Sequence, residues 1–144
     1  MPFEERALAR VRGGRGLVRL PQTAVEARAV GDRVLLGRDA SERGFAEAVT
    51  ARPRWRAAHL ACHGLIDAER PLLSSLALTP EGEDDGRLTA LEVFGRRIPA
   101  DLVVLSACET ATGRVYRSEG IVGLTRAFMS AGAPRVLCSL WRVD

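Results

Sequence analysis

Apolar residues fall into two patterns along this chain, and their alternation sets the expected fold. One pattern is short, nearly continuous apolar runs: RVLLG (33–37), AAHLACHG (57–64), DLVVLSAC (101–108) and RVLCSLW (135–141). Runs apolar at almost every position mark strands buried on both faces of a parallel sheet, so each is read as a strand. The other pattern is helical spacing. Phe45, Ala48 and Val49 follow Ser41, a residue type that caps helix starts, and Pro53 closes that unit. Ile121, Leu124, Thr125 and Phe128 keep the helical period until Gly132 stops it and Pro134 bars continuation. The T-x-x-E spacing of a capping box occurs at Thr23/Glu26 and at Thr89/Glu92, predicting short helices that end near Val30 and at Gly95. Residues 71–89 predict a hairpin-like excursion with an exposed acidic tip, EGEDDG, which lacks the spaced oxygen ligands of a calcium loop.

Strands alternating with helices imply an α/β sandwich with a mostly parallel sheet and right-handed crossovers. Residues 1–16, rich in arginine and glycine, read as a flexible lead-in to one domain spanning 17–144, with a short extended piece from Gly16 to Leu20. The last strand ends close to Asp144, where a doubly covered sheet needs one more helix, so a C-terminally truncated domain is expected.

Composition narrows the function classes. With 144 residues the chain has room for one core, and at 5% aromatic content that core must be built from Ala, Val, Leu and Ile. All 21 basic residues are arginine and asparagine is absent, which reads as the codon bias of a GC-rich, bacterial genome. The arginines are spread along the chain and 18 acids offset them, so the net charge of +3 describes a solvated surface better than a nucleic-acid footprint. No apolar run reaches the ~18 residues of a membrane span. Three cysteines with no secretory leader fit a reduced, cytoplasmic protein.

Two reactive residues end predicted strands, where ligands gather in open α/β sheets. His63 closes the strand from Ala57, and Cys108 closes the strand from Asp101. If those strands are neighbours, imidazole and thiol lie side by side. A free thiol has a pKa of about 8.5 and is mostly protonated at neutral pH, so a nearby imidazole that takes its proton makes it a nucleophile. The same imidazole then protonates a leaving amine. The backbone N–H groups of Gly64 and Cys108 could form an oxyanion hole. Residue types alone leave structural readings open: a His-Gly turn, and a cysteine that is a small buried hydrophobe. Cys62 and Cys138 lie inside apolar runs and are assigned to the core. His59 is expected to pack, since four strand residues separate it from His63 by ~13 Å, too far for a shared metal ion.

Several segments in order, WRAAHLACHGLIDAERPLLSSLALTP, GRLTALEVFG and ADLVVLSACETATGRVYRSEGIVGLTRAFMSAGAPRVLCSLWRVD, resemble the CHAT domain, a caspase-like family often attached to TPR repeats. Leu20-Pro21 through Val30 and RVLLG resemble its upstream part. The most specific motifs are the His-Gly with its strand, Ser-Ala-Cys-Glu-Thr, Glu119-Gly120 and Ser139-Leu140-Trp141. The resemblance implies a caspase-like three-layer sandwich, a dyad of His63 and Cys108, peptide substrates added as an extended strand, and neither metal nor organic cofactor. In related separases an acid soon after the tryptophan strand contacts a basic P1 residue, which would make Asp144 a substrate-binding residue. The first core strand and the final helix of the family have no counterpart in this sequence, so the domain reads as partial at both ends.

The expected function is therefore a cysteine-type endopeptidase acting on proteins or peptides, with TPR or other sensor domains as partners and neither nucleic acid nor membrane involved. The alternative is a CHAT-like scaffold or regulatory module that keeps the dyad without turnover. A small-molecule α/β enzyme ranks below both, since the G-x-S-x-G elbow and a phosphate-binding glycine loop are missing from the sequence.

Overall fold

A computed structural model describes residues 17, 20–67, 69–109 and 117–138, with backbone alone for 107–109, 117 and 118. The expected lead-in over 1–16 lies outside the described residues. Helix α1 (Pro21–Val30) is followed by α2 (Glu42–Thr50), β1 (Ala58–Leu65), β2 (Ser75–Ala77), β3 (Arg87–Thr89), α3 (Ala90–Phe94), β4 (Val103–Glu109), α4 (Arg117–Ser130) and β5 (Val136–Cys138). The strands form one sheet in the order β3-β2-β1-β4-β5. β1 pairs in parallel with β4, and β4 with β5, while β2 runs antiparallel to both β1 and β3. The α/β class expected from the pattern is thus observed, but the sheet expected to be mostly parallel is mixed, because β2 runs antiparallel to both its neighbours; the acidic excursion is a hairpin whose tip closes through Glu81 and Asp84.

One face of the sheet carries the core. Leu60, Leu76, Leu88, Val103 and Leu105 occupy alternate positions in register across four strands and cluster with Val93, Ile98, Leu124, Ala127 and Phe128. Burial of such side chains contributes about 1.5–3 kcal/mol each. Leucine and alanine dominate, as the low aromatic content required. On the opposite face lie α1 and Leu17, which packs with Leu65 and Ala77. Positions on this face include 59, 61 and 63 of β1 and their partners 104, 106 and 108 of β4.

Local chemistry accounts for most element ends. Ser41 Oγ accepts the Gly44 N–H at 3.0 Å and starts α2, whose buried side chains include Phe45, Ala48 and Val49. Thr89 and Glu92 form a complete capping box on α3, and Gly95 ends it. Gly132, at φ 125°, turns the chain after α4.

Three expectations need correction. RVLLG (33–37) is not a strand: residues 33–36 pair with no strand of the sheet, and Gly37 turns at φ 56° into a short 3-10 turn, Gly37–Asp39. The Thr23/Glu26 spacing is not a capping box. Helix α1 starts earlier, at Pro21, which needs no amide donor in the first turn; Thr23 donates to Leu20 O instead, at 2.7 Å. The strand at 135–141 is observed only at Val136–Cys138, an edge strand whose Leu137 is 59% exposed, and residues 139–141 lie outside the described residues.

Glu42 is buried at the start of α2 and its carboxylate accepts from Arg96 Nη2 at 3.2 Å. Burial, reinforced by the nearby charges of Glu92 and Asp84, pushes its pKa up to about 7 despite Arg96. A carboxyl with a raised folded-state pKa is held more tightly by protons in the folded chain, so stability falls as pH rises from about 4.5 to 7. Urea denaturation should show this decline in the native chain, about 1–3 kcal/mol across the window, and a flatter profile in Glu42→Gln. The close approach of α4 gives a second expectation. A methyl on Gly120 would drive into Ile66 Cγ2 and stand 2.8 Å from Ser74 Oγ. Gly120→Ala should cost about 1–3 kcal/mol by the same measurement.

Candidate active site

The site is built from the carboxyl ends of two adjacent parallel strands. Seven consecutive pairs join β1 and β4, from Ala58↔Val103 to Gly64↔Glu109, and in that register His63 stands opposite Cys108. Neighbouring strands lie ~4.8 Å apart, so the two backbone positions are as close as separate strands allow. On the other side of β1, His63 pairs with Ala77, which pairs with Arg87. A single row across the sheet thus reads Arg87, Ala77, His63, Cys108. Arg87 Nε donates to Ser75 Oγ at 3.4 Å. His63 itself is buried.

The chain leaving His63-Gly64 is held by packing. Ser74 is fully buried; its Oγ accepts the Asp67 N–H at 3.0 Å and its carbonyl accepts the Ala90 N–H at 2.8 Å. Asp67 accepts from Arg70, through the backbone N–H at 2.8 Å and through the guanidinium. That backbone bond is the largest influence and, with the lesser help of the Arg70 charge, holds the Asp67 carboxyl below its ordinary value against the opposing effect of burial. Gly120 and Gly123 let α4 press against Ser74 and Pro71 respectively. The segment after the histidine is therefore a closed loop wedged under a helix.

The predicted residues divide as follows. His63, Gly64 and the Cys108 backbone come together at the ends of β1 and β4. Cys62 and Cys138 pack against the core, as expected. Burial pushes the Cys62 thiol up to about 12, offset only in part by a backbone hydrogen bond at Ala77. Cys138 Sγ lies 3.9 Å from Thr125 Oγ1. Asp144 lies outside the described residues. His59 does more than pack: its Nε2 is 2.7 Å from Glu26 Oε1. Burial alone would raise the Glu26 pKa, but the neighbouring Ser106 hydroxyl and the bond and charge of His59 hold it below the ordinary value.

Sequence reasoning missed Glu26 and Ser106. The available signal was the two-residue period of a strand: Ser106 shares a face with position 108, and His59 shares one with His63. Among the described residues, no group of three or more His, Cys, Asp or Glu converges as a metal site. No described helix is long and apolar enough to cross a membrane.

The difference between the two described core cysteines and a reactive thiol can be measured. At pH 8 the folded chain should leave Cys62 unmodified by iodoacetamide over the time that exposed thiols react, and modification should appear on unfolding in urea, read by peptide mass spectrometry.

Comparison with known proteins bears on the same segments. The family model described as the CHAT domain matches residues 7–144. Among curated proteins, the mouse tetratricopeptide repeat protein 28 is 50% identical over 56 residues, 39% of this chain. The human protein of the same name is 45% identical over a stretch of equal length. In each case the match spans 2% of the relative's length. Both relatives are mammalian, so they lend no support to the bacterial source suggested by composition.

Proposed function

We propose that this chain, which belongs to the CHAT domain family, is a cysteine-type endopeptidase domain of caspase-like fold with Cys108 as nucleophile and His63 as general base and acid. The observation that carries this reading is the register pair His63↔Cys108 at the carboxyl ends of adjacent parallel strands. Two residues 45 positions apart in sequence meet in the place where α/β sheets hold their ligands.

In this reading His63 takes the Cys108 proton, and the thiolate attacks the scissile carbonyl carbon. The carbonyl electron pair moves onto oxygen, where the N–H groups of Gly64 and Cys108 receive it. Collapse expels the amine, which His63 protonates, leaving a thioester on Cys108. Water, deprotonated by His63, then releases the acid and restores the thiol. The closed loop held by Ser74 keeps Gly64 in a fixed position, which an oxyanion donor requires because its orientation must precede the reaction. Neither metal nor organic cofactor has a part in these steps.

A second reading is favoured by one specific finding: the curated relatives are, by name, tetratricopeptide repeat proteins in which the matched stretch is a small part. The domain would then serve as a regulated interaction module beside repeat units, with the dyad retained but not turning over. Labelling separates the two. An electrophilic peptide or iodoacetamide at pH 7 should modify Cys108 ahead of Cys62 and Cys138, and His63→Ala should slow that reaction roughly 10²-fold, the size expected for loss of a general base. Equal rates at Cys108 with and without His63, followed by peptide mass spectrometry, favour the module.

A further inference from the structure

Among the arginines whose side chains are described, Arg87 and Arg96 are drawn out of solvent and the others are exposed. Arg96 is accounted for by the buried Glu42 carboxylate, 3.2 Å away. Arg87 has no ion-pair partner among the described residues. Its guanidinium makes a long bond to a neutral group, from Nε to Ser75 Oγ at 3.4 Å. The acids closest in sequence are committed elsewhere: Asp85 Oδ1 accepts the Arg87 backbone N–H at 2.8 Å, and Glu92 Oε2 accepts from Thr89. Partly buried charges are as a rule paired, because desolvation disfavours the charge alone. A guanidinium held by one neutral oxygen is suited to receive a carboxylate, which its planar fork binds through two parallel bonds.

The place of Arg87 points to the source of that carboxylate. In the row Arg87, Ala77, His63, Cys108 the register puts Arg87 on the face of the sheet that carries the candidate dyad. Its bond to Ser75 agrees, since Ser75 pairs with Leu65 on that face. At ~4.8 Å per strand, its backbone stands ~10 Å from that of His63 and ~14 Å from that of Cys108. Leu17, Leu65 and Ala77 cluster on the same face. Apolar surface beside the guanidinium lowers the local dielectric and strengthens a charge pair formed there. The order of the row also gives a direction. In the dyad reading His63 protonates the leaving amine, so substrate residues C-terminal to the scissile bond depart from Cys108 on the His63 side, which is the side of Arg87. An extended peptide advances ~3.3 Å per residue, so this span corresponds to about three or four residues, and the reach of the arginine side chain shortens it by about one.

We propose that Arg87 is a specificity-determining residue that holds the carboxylate of an acidic substrate residue about two to four positions C-terminal to the scissile bond. The inference rests on the dyad reading, which supplies the scissile bond and its direction. The guanidinium takes no part in making or breaking bonds; it selects which peptides lie across the row.

The test uses the whole chain and two peptides with free amino ends, Ala-Glu-Glu-Glu and Ala-Gln-Gln-Gln, each carrying a fluorophore at its amidated carboxyl end. They stand for the leaving half of a substrate. By fluorescence anisotropy the Glu peptide should bind the native chain about tenfold to 10²-fold tighter than the Gln peptide, the size expected for hydrogen bonds to a charged group. Bound Glu peptide should also slow the labelling of Cys108 by iodoacetamide. Arg87→Gln, which can still bond Ser75, should bind both peptides alike. Arg87→Lys, which keeps the charge and loses the fork, should keep part of the preference. Equal binding of the two peptides to the native chain, failure of both to bind included, overturns the proposal. So does an undiminished preference in Arg87→Gln, or a preference with no effect on Cys108 labelling. If Arg87→Gln does not fold, Arg87→Lys decides: a reduced preference supports the proposal and an unchanged one overturns it. The dyad reading is judged separately. If His63→Ala labels Cys108 as fast as the native chain, that reading fails, whereas the peptide preference and its loss in Arg87→Gln still decide whether Arg87 holds a carboxylate.

Discussion

The parallel pairing of β1 with β4 is the constraint on which the rest of the molecule depends. Seven consecutive residue pairs set the two strands in one register, and everything on either face inherits it. On one face the register aligns Leu60 with Leu105 and places both in the core cluster. On the other it aligns His63 with Cys108. A slip of one residue would exchange the faces of one strand, sending leucine to the outside and His63 or position 108 inside. The hydrophobic pattern thus protects the site geometry without any residue of the site taking part.

Around that pairing the structure is unequally supported. The core face is closed by α3 and α4, with Phe128, Ile98 and Val93 fully buried. Gly120 and Gly123 bring α4 against the loop that follows Gly64, so the histidine strand is braced at its exit. The opposite face is covered by α1, whose contact is polar, and by Leu17. The two faces have different physics: nondirectional apolar burial on one, and a few directional bonds on the other. Directional bonds hold position well but contribute less to overall stability, typically about 1 kcal/mol each. The β5 edge, with Leu137 exposed, completes the sheet.

Much of this was legible in the residues. The strands of LACHG and LSACET, the hairpin with its acidic tip, the Ser41 cap and the Thr89 capping box follow from patterns local in sequence. The two T-x-x-E spacings show where that legibility stops. Thr89 and Glu92 cap a helix as their spacing predicts. Thr23 and Glu26 have the same spacing, yet Glu26 bonds His59, 33 residues away. A carboxylate takes the best partners within reach, and reach is set by packing. RVLLG shows the same limit: its residues suit a strand, but a strand exists only where it pairs with a neighbour, and residues 33–36 join no strand of the sheet.

The sequence by itself determined most of the stretches that become strands and helices, RVLLG excepted, and which face of each is apolar, because those properties rest on period and on residues within one turn of each other. It also singled out His63 and Cys108, since reactive side chains at the ends of apolar runs are visible without a fold. Only the tertiary structure decided that these two stand in register, that β2 reverses to make the sheet mixed, and that Glu26 of α1 bonds His59 of β1. Pairing register and long-range hydrogen bonds depend on which elements become neighbours, and that is settled by burial summed over the whole chain, not by any local signal.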